Sequence, residues 1–124
     1  MGNRVLVVDD AMFMRKSLTQ VLKNSGYEVV GEATNGEEAI KAYKMYSPDV
    51  VLMDITMDKM DGLTALTRIR EFDQEANVII VSAMGHERQV KKALRLGAKH
   101  FVVKPFSKKK LLDTLKKVLF TIPL

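Results

Sequence analysis

The sequence predicts an α/β domain built around a parallel β-sheet. Short apolar runs alternate with segments of helical periodicity along the whole chain, a pattern typical of successive β-α units. Four runs are continuously apolar, as strands covered on both faces require, and a polar residue closes each of them. The runs lie within 5–8, 49–54, 78–81 and 101–103, and the closing residues are Asp9-Asp10, Asp54, Ser82 and Lys104.

The first half of the chain contains two predicted helices between three strands. The first strand is predicted over 4–9, and the imperfect alternation and two acids of 27–33 favour an edge strand. Asn35 is expected to cap the second helix with Glu38 as its capping-box partner, and Pro48 ends that helix. The first helix has the apolar stripe Ala11, Met14, Leu18, Val21 and Leu22 and a C-terminal Gly26, and the second has Ala39, Ala42, Tyr43 and Tyr46.

The second half repeats this alternation after the central strand at 49–54. Asp61 is expected to cap a third helix, and Gly97 to close a fourth helix with few apolar anchors. Each of these helices and the last one has a predicted inner, apolar face. The third helix has Leu63, Leu66 and Ile69, the fourth has Val90, Ala93 and Leu94, and the last has Leu111, Leu112, Leu115, Val118 and Leu119. The lysines of the last helix, Lys108, Lys109, Lys110, Lys116 and Lys117, are expected to face solvent.

Composition indicates one soluble domain in a reducing compartment. The 124 residues are 47% apolar, enough for a single core, and there is no cysteine. No apolar run approaches the roughly 20 residues of a membrane helix, so we expect a cytoplasmic protein. Residues 1–84 carry nine Lys/Arg and thirteen Asp/Glu, whereas residues 85–124 carry eleven Lys/Arg and two Asp/Glu. An acidic part of the chain is therefore followed by a basic part. Without a recognisable nucleic-acid module, we interpret the basic segment as a solvated surface and do not expect nucleic acid as a partner.

The polar residues that close the strands predict phosphoryl chemistry. Parallel strands gather ligands at their carboxyl ends, so three carboxylates, the Ser82 hydroxyl and the Lys104 amine should converge there. Three carboxylates repel one another unless a cation lies between them, and oxygen ligands suit Mg²⁺, or alternatively Mn²⁺. Asp54 ends the central strand and is therefore the best placed nucleophile, and its product would be an acyl phosphate.

These residues resemble the receiver domain of two-component response regulators. The likeness rests on Asp9-Asp10, Asp54, Ser82 and Lys104-Pro105, and it extends to 57–62 and Gly97-Ala98-Lys99. It covers essentially the whole chain, so 1–124 is expected to be a single receiver domain without an effector domain. Within the family the chain is most similar to the stand-alone regulators of chemotaxis, a likeness strengthened by 9–15 and 32–36.

The resemblance implies a doubly wound, flavodoxin-like sheet in the order 2-1-3-4-5 with five flanking helices. It also implies that Asp54 accepts a phosphoryl group, that Mg²⁺ is held by Asp10, Asp54 and the backbone carbonyl of Thr56, and that Asp9 acts through water. Lys104 would neutralise the phosphoryl group, Ser82 and Phe101 would form the switch, and the Lys104-Pro105 peptide would be cis.

The resemblance further implies partners and a mode of action. The expected partners are a sensor histidine kinase of the CheA-like type, a downstream target such as a flagellar motor switch protein and, as an additional partner, a phosphatase; the chain itself would be a monomer. The signal would pass through the fourth helix, last strand and last helix. From the uneven charge of the chain, not from the resemblance, we predict that partners read the basic surface of Lys91, Lys92, Arg95, Lys99 and His100. Self-catalysed phosphorylation and dephosphorylation would be its only chemistry.

The sequence departs from the usual pattern of the family at two places, and it leaves alternative functions open. Asp58 replaces the proline that the family usually has, and Thr56 and Met84 leave the lifetime of the phosphorylated state undetermined. A single-domain receiver in twitching motility or another phosphorelay is the main alternative. A Mg²⁺-dependent aspartyl phosphatase is less favoured, because it would need a second acid where Thr56 stands. A flavin-binding protein of the same sheet order is disfavoured, because Asp9-Asp10 would repel the phosphate of the cofactor.

Overall fold

The computed structural model describes residues 2–57 and 59–120, in which five parallel strands alternate with five helices. The strands are β1 (Arg4–Val8), β2 (Glu28–Ala33), β3 (Val50–Asp54), β4 (Val78–Ala83) and β5 (His100–Lys104). The helices are α1 (Met12–Asn24), α2 (Gly36–Tyr46), α3 (Gly62–Phe72), α4 (Glu87–Arg95) and α5 (Lys108–Leu119). No helix of these residues is both long enough and apolar enough to span a bilayer.

The strand order is β2-β1-β3-β4-β5, and all neighbouring strands pair in parallel. The predicted doubly wound fold is therefore confirmed. β3 lies at the centre of the sheet and is buried along its whole length, which explains its uninterrupted apolar sequence. Because all strands run the same way, the residues that close them meet at one edge.

Two apolar layers cover the sheet because successive side chains of a strand point to opposite faces. Leu6 and Val8 of β1 pack in the layer formed with α2, α3 and α4, whereas Val5 and Val7 pack in the layer formed with α1 and α5. In the second layer, Leu111 and Leu115 of α5 are fully buried, as their helical spacing predicts. The five lysines predicted to face solvent on α5 are exposed.

The edge strands differ from the central ones. The edge position predicted for β2 is confirmed, and its pairing with β1 is irregular: Val5 pairs with Val29 but Leu6 pairs with Gly31, so β2 contains an extra residue. The continuous burial predicted for 101–103 is wrong, because Val103 is exposed. β5 pairs with β4 alone, and the short α4 leaves an open cavity beside Val103.

The helix caps largely follow the sequence. Asn35 Oδ1 accepts a hydrogen bond from the N–H of Glu38 at 2.9 Å, and Asp61 Oδ1 accepts one from the N–H of Thr64 at 2.8 Å, so both predicted caps are confirmed. The predicted capping-box pairing of Glu38 with Asn35 is wrong, because the Glu38 side chain contacts Thr34 instead. Glu38 Oε1 accepts from both the N–H and the hydroxyl of Thr34, since this residue offers two donors to a single oxygen.

Three residues of the predicted apolar stripes are exposed: Tyr46, Leu94 and Ala11, which precedes α1 as its N-cap residue. Tyr46 is the last residue of α2, where its ring lies over Gly31 at the open edge of the sheet and remains accessible on its other side. Leu94 follows the buried Ala93 of α4 and is turned by one helical step towards solvent, while Leu96 after the helix packs against the core. The errors at Tyr46 and Leu94 arise at the periphery, where the apolar stripe is wider than the surface that covers it.

Candidate functional site

Three carboxylates converge at the carboxyl edge of the sheet. One oxygen from each of Asp9, Asp10 and Asp54 lies within 4.8 Å of the others. Asp9 and Asp10 follow β1, and Asp54 is the last residue of the adjacent β3, so the sheet order alone brings them together. Asp9 and Asp54 are buried, whereas Asp10 is exposed. The cluster is therefore open to solvent on the side of Asp10.

Lys104 supplies a positive charge to this cluster. Its Nζ donates a hydrogen bond to Asp9 Oδ2 at 3.0 Å and lies 3.9 Å from Asp54 Oδ2. Because β5 is separated from β3 by β4, the long lysine side chain spans the sheet edge to reach both acids. In this arrangement Lys104 pairs more closely with Asp9 than with Asp54.

Both carboxylate oxygens of Asp9 are engaged within the protein. Oδ1 accepts a hydrogen bond from the N–H of Ala11 at 2.9 Å, and Oδ2 accepts the bond from Lys104. Arg15, one turn into α1, donates to the backbone carbonyl of Asp9 at 2.7 Å and pairs with Glu32 at 3.1 Å. Sequence reasoning missed Arg15, although its helical spacing from the start of α1 places it back over this strand end. These contacts hold Asp9 in place and leave Asp10 and Asp54 less restrained.

The electrostatics of Asp54 indicate a shortage of positive charge. Burial raises the pKa of Asp54 from its ordinary 3.8 to about 6; Lys104 opposes this rise, and the charges of Asp9 and Asp10 add to it. One N–H, that of Thr56, points to Asp54 Oδ1 at 3.4 Å. A hard divalent cation fits this set of anionic oxygens, because it would stabilise the buried charge of Asp54 and offset its repulsion from Asp9 and Asp10.

Ser82 lies on β4, one residue beyond the Val81 that pairs with Asp54, and Phe101 lies on the neighbouring β5. Ser82 is buried, and its hydroxyl donates a hydrogen bond to the carbonyl of Ala83 at 2.9 Å. Phe101 is half-buried and packs against the core. Both residues line a cavity of about 280 Å³ between β4, β5 and α4, whose other walls include Val90 and Leu94. This cavity provides room for side-chain movement directly next to the site.

The loop that follows Asp54 is closed by backbone contacts. The N–H of Gly62 donates to the carbonyl of Ile55 at 2.8 Å, and a Cβ at Gly62 would lie 2.9 Å from the Ile55 Cα. Thr56 is exposed within this loop, and the Asp58 singled out from the sequence lies outside the described residues. On the other side of the site, the Lys104-Pro105 peptide is cis, as predicted.

Comparison with known protein families shows a match: residues 5–116 of the chain match the family described as the response regulator receiver domain. Among curated proteins, the chain is 50% identical over 118 residues to the chemotaxis protein CheY of Thermotoga maritima, covering 95% of this chain and 98% of that protein. It is 49% identical over 119 residues to the chemotaxis protein CheY of Bacillus subtilis, covering 96% and 99% of the two chains.

Solved structures give the same relationship. The CheX-CheY-BeF3-Mg²⁺ complex of Borrelia burgdorferi contains a chain with a TM-score of 0.91 and 45% identity, covering 95% of this chain and 90% of that one. The response regulator domain of Thermotoga maritima CheB has a TM-score of 0.88 and 35% identity, with 97% and 98% covered. The likeness therefore covers nearly the whole chain in fold as well as in sequence.

Proposed function

This chain belongs to the response regulator receiver domain family, and from that premise we propose that it is a phosphorylation-dependent switch in the two-component signalling of chemotaxis. The observation that carries the proposal is the convergence of Asp9, Asp10 and Asp54 beside Lys104. We extend the receiver domain to the whole chain, 1–124. It acts as a regulatory phosphoacceptor, not as an enzyme with a separate substrate.

Asp54 is the proposed acceptor. One of its carboxylate oxygens forms a bond to phosphorus while the P–N bond of a phosphohistidine on the sensor kinase breaks, and the imidazole nitrogen keeps the electron pair. Lys104, already 3.9 Å from Asp54 Oδ2, neutralises the added charge. Hydrolysis reverses the modification, as water attacks phosphorus and the P–O bond to Asp54 breaks. Phosphoryl transfer depends mainly on such positioning and charge neutralisation.

Asp10, Asp54 and the backbone carbonyl of Thr56 would hold Mg²⁺, which Mn²⁺ could replace. When bound, the ion balances the charge of the phosphoryl oxygens. Asp9 is assigned an indirect role through water, because Ala11 and Lys104 already occupy its two oxygens. The raised pKa of Asp54 supports a cation at this position, since its carboxylate is buried beside two further acids and Lys104 offsets the cost only in part.

Signal output uses Ser82, Phe101 and the adjoining surface. The Ser82 hydroxyl would leave the Ala83 carbonyl and donate to the phosphoryl group, and Phe101 would then move into the neighbouring cavity. α4 and β5 line that cavity, and α5 packs against β5. The exposed basic residues of this region include Lys91, Lys92 and Arg95 of α4 and Lys99 just before β5. We therefore propose this face as the one that partners read. His100 belongs to it as well, although it is half-buried.

The proposed partners are a CheA-like sensor histidine kinase, a flagellar motor switch protein and a phosphatase. The CheX-CheY complex of the Borrelia relative supports binding to a protein partner. We further propose that the chain is cytoplasmic and monomeric and that it does not bind nucleic acid. Exchange of Lys91 and Lys92 for glutamate should weaken capture of the downstream target at least tenfold. Unchanged affinity would remove the α4 surface from the proposal.

Intact mass after incubation with Mg²⁺ and acetyl phosphate tests the acceptor directly. We expect a hydrolysable gain of about 80 Da in the wild type, the mass of one phosphoryl group. The gain should be absent from Asp54→Asn and from wild type treated with EDTA. Asp113→Asn, a change on exposed α5, serves as the matched control and should be labelled normally. Equal labelling of Asp54→Asn would assign the acceptor to another residue.

A further inference from the structure

We propose that the first turn of α2 holds the loop after Asp54 in place, and that Gly36 is a positioning residue for the Mg²⁺ and phosphoryl site. The inference rests on the proposed function, because it concerns the geometry around the same acceptor. It comes from contacts between two segments, 34–38 and 55–62, that are distant in the sequence and that the sequence reasoning left unconnected.

Gly36 touches the loop through its backbone. Its N–H donates a hydrogen bond to the carbonyl oxygen of Met60 at 2.9 Å. A Cβ at position 36 would lie 2.6 Å from that oxygen and 2.7 Å from Met60 Cγ, closer than real Cβ contacts allow. The φ of Gly36 is not among the positive values of the chain, so other residues could adopt its backbone conformation. Glycine is therefore required here for space and not for flexibility.

The turn that carries Gly36 is itself firmly fixed. The Asn35 side chain is buried and caps α2, and Glu38 accepts two hydrogen bonds from Thr34, each 2.7 Å long. These bonds are the main reason that the pKa of Glu38 lies below its ordinary value, and the charge of Lys59 in the facing loop lowers it further. The first turn of α2 is therefore ordered by side-chain hydrogen bonds where the loop contacts it.

The loop is strained and needs such a support. Lys59 has a φ of 67°, in the left-handed region that a lysine adopts only when its surroundings impose it. The bond between Gly62 and Ile55 closes the base of the loop, and the bond between Gly36 and Met60 ties the returning side of the loop to α2. A displacement of Met60 would be passed back along the loop towards Thr56, which lies next to the closed base.

The position of Thr56 matters for the site. Its N–H faces Asp54 Oδ1 at 3.4 Å, and its carbonyl is the proposed backbone ligand of Mg²⁺. A side chain at position 36 would push Met60 outward and shift Thr56 relative to Asp54. Groups that orient metal ligands without touching the metal typically change its affinity by about 10- to 100-fold when they are altered. Metal affinity is thus the property that Gly36 should control.

A Mg²⁺ titration of acetyl phosphate labelling, read by intact mass, compares the wild type with Gly36→Ala and Gly31→Ala. The second variant is the matched control, because a Cβ at Gly31 would lie 2.9 Å from the ring of Tyr46, an exposed side chain at the far end of α2. Gly36→Ala should raise the Mg²⁺ concentration for half-maximal labelling about tenfold or more, with labelling restored at saturating Mg²⁺. Gly31→Ala should stay within about twofold of the wild type.

A second readout without phosphodonor separates positioning from general damage. The rise in melting temperature on adding Mg²⁺ should shift to higher Mg²⁺ concentration in Gly36→Ala but not in Gly31→Ala. Should Gly36→Ala fail to fold, Asn35→Ala loosens the same turn without a clash and should raise the Mg²⁺ requirement by about threefold.

The outcomes distinguish this inference from the proposed function. A wild type that is neither labelled nor stabilised by Mg²⁺ would overturn the proposed function itself. A wild type that responds normally, together with an unchanged Mg²⁺ requirement in Gly36→Ala or in a well-folded Asn35→Ala, would overturn only the positioning role. An equal shift in Gly31→Ala would also overturn it, because the effect would then belong to α2 as a whole.

Discussion

Replacing Asp54 by asparagine should stabilise the metal-free protein at neutral pH. The carboxylate is buried near two other acids, and its pKa rises from 3.8 to about 6 on folding, chiefly through burial. Each pKa unit corresponds to about 1.4 kcal/mol, so the charged form costs the folded state about 3 kcal/mol above pH 7. Asparagine has a similar shape and no charge. Because its amide must also be buried, we expect a gain of about 1–3 kcal/mol.

The raised pKa of Asp54 also makes the free energy of unfolding depend on pH. A carboxyl whose pKa is higher in the folded state binds more protons there, so the folded protein loses stability as pH rises from about 4 through about 6. Below that window the wild-type carboxyl is protonated in both states. The difference between Asp54→Asn and wild type should therefore be largest above pH 7 and fall below about 1 kcal/mol at pH 4.

Urea denaturation in EDTA, followed by far-UV circular dichroism at pH 7.5 and pH 4, measures the difference. With a slope of about 1–3 kcal/mol per molar urea, the midpoint should rise by about 1 M at pH 7.5. Asp113→Asn is the control of opposite sign, because its pKa is lowered, mainly by the hydrogen bond from Lys109. That change should slightly destabilise the protein at neutral pH.

A stabilisation of Asp54→Asn that persists undiminished at pH 4 would refute the electrostatic reasoning, since it would have to come from packing. No stabilisation at pH 7.5 would refute it as well. Addition of Mg²⁺ should narrow the gap between the two proteins, because the wild type gains the stronger metal site.

Three further predictions concern residues that support the site and the fold. Lys104→Met should lower the free energy of unfolding by about 3 kcal/mol in urea, because Asp9 keeps a buried charge without its partner. Tyr43→Phe should cost about 1 kcal/mol at pH 7, since the tyrosine hydroxyl donates to Asp73 at 2.7 Å. Burial and this bond raise the pKa of Tyr43, so the wild type should lose stability above pH 10 more steeply than the variant in a pH series of melts. Gly62→Ala should cost about 1–3 kcal/mol or more by overpacking, measured as a lower urea midpoint.

The sequence was sufficient for the fold because its signals were local and repeated. Each buried strand is a short apolar run, and Asn35 and Asp61 mark helix starts through bonds to residues three positions away. The convergence of Asp9, Asp10 and Asp54 also followed, since strand ends of a parallel sheet share an edge.

The remaining features depend on distances between segments far apart in the chain. Nothing local shows that Lys104 lies closer to Asp9 than to Asp54, because this follows from how a flexible side chain crosses the sheet. Likewise, Gly36 resembles any glycine at a helix start until its contact with Met60 is visible. The exposure of Leu94 depends on how little of α4 the sheet covers, and helical periodicity does not report that.

The irregular pairing of β2 bears on how copies of this protein behave when crowded. An outer strand presents unpaired backbone groups that another chain could extend into a continuous intermolecular sheet. Here the extra residue between Val29 and Gly31 disrupts the regular spacing, and Glu28 and Glu32 place exposed negative charges along the same strand. Two such strands could not align over their full length, and the exposed charge of Glu28 opposes their approach. This edge of the sheet is thereby protected from pairing with another copy, whereas the β5 edge lacks the irregularity of β2.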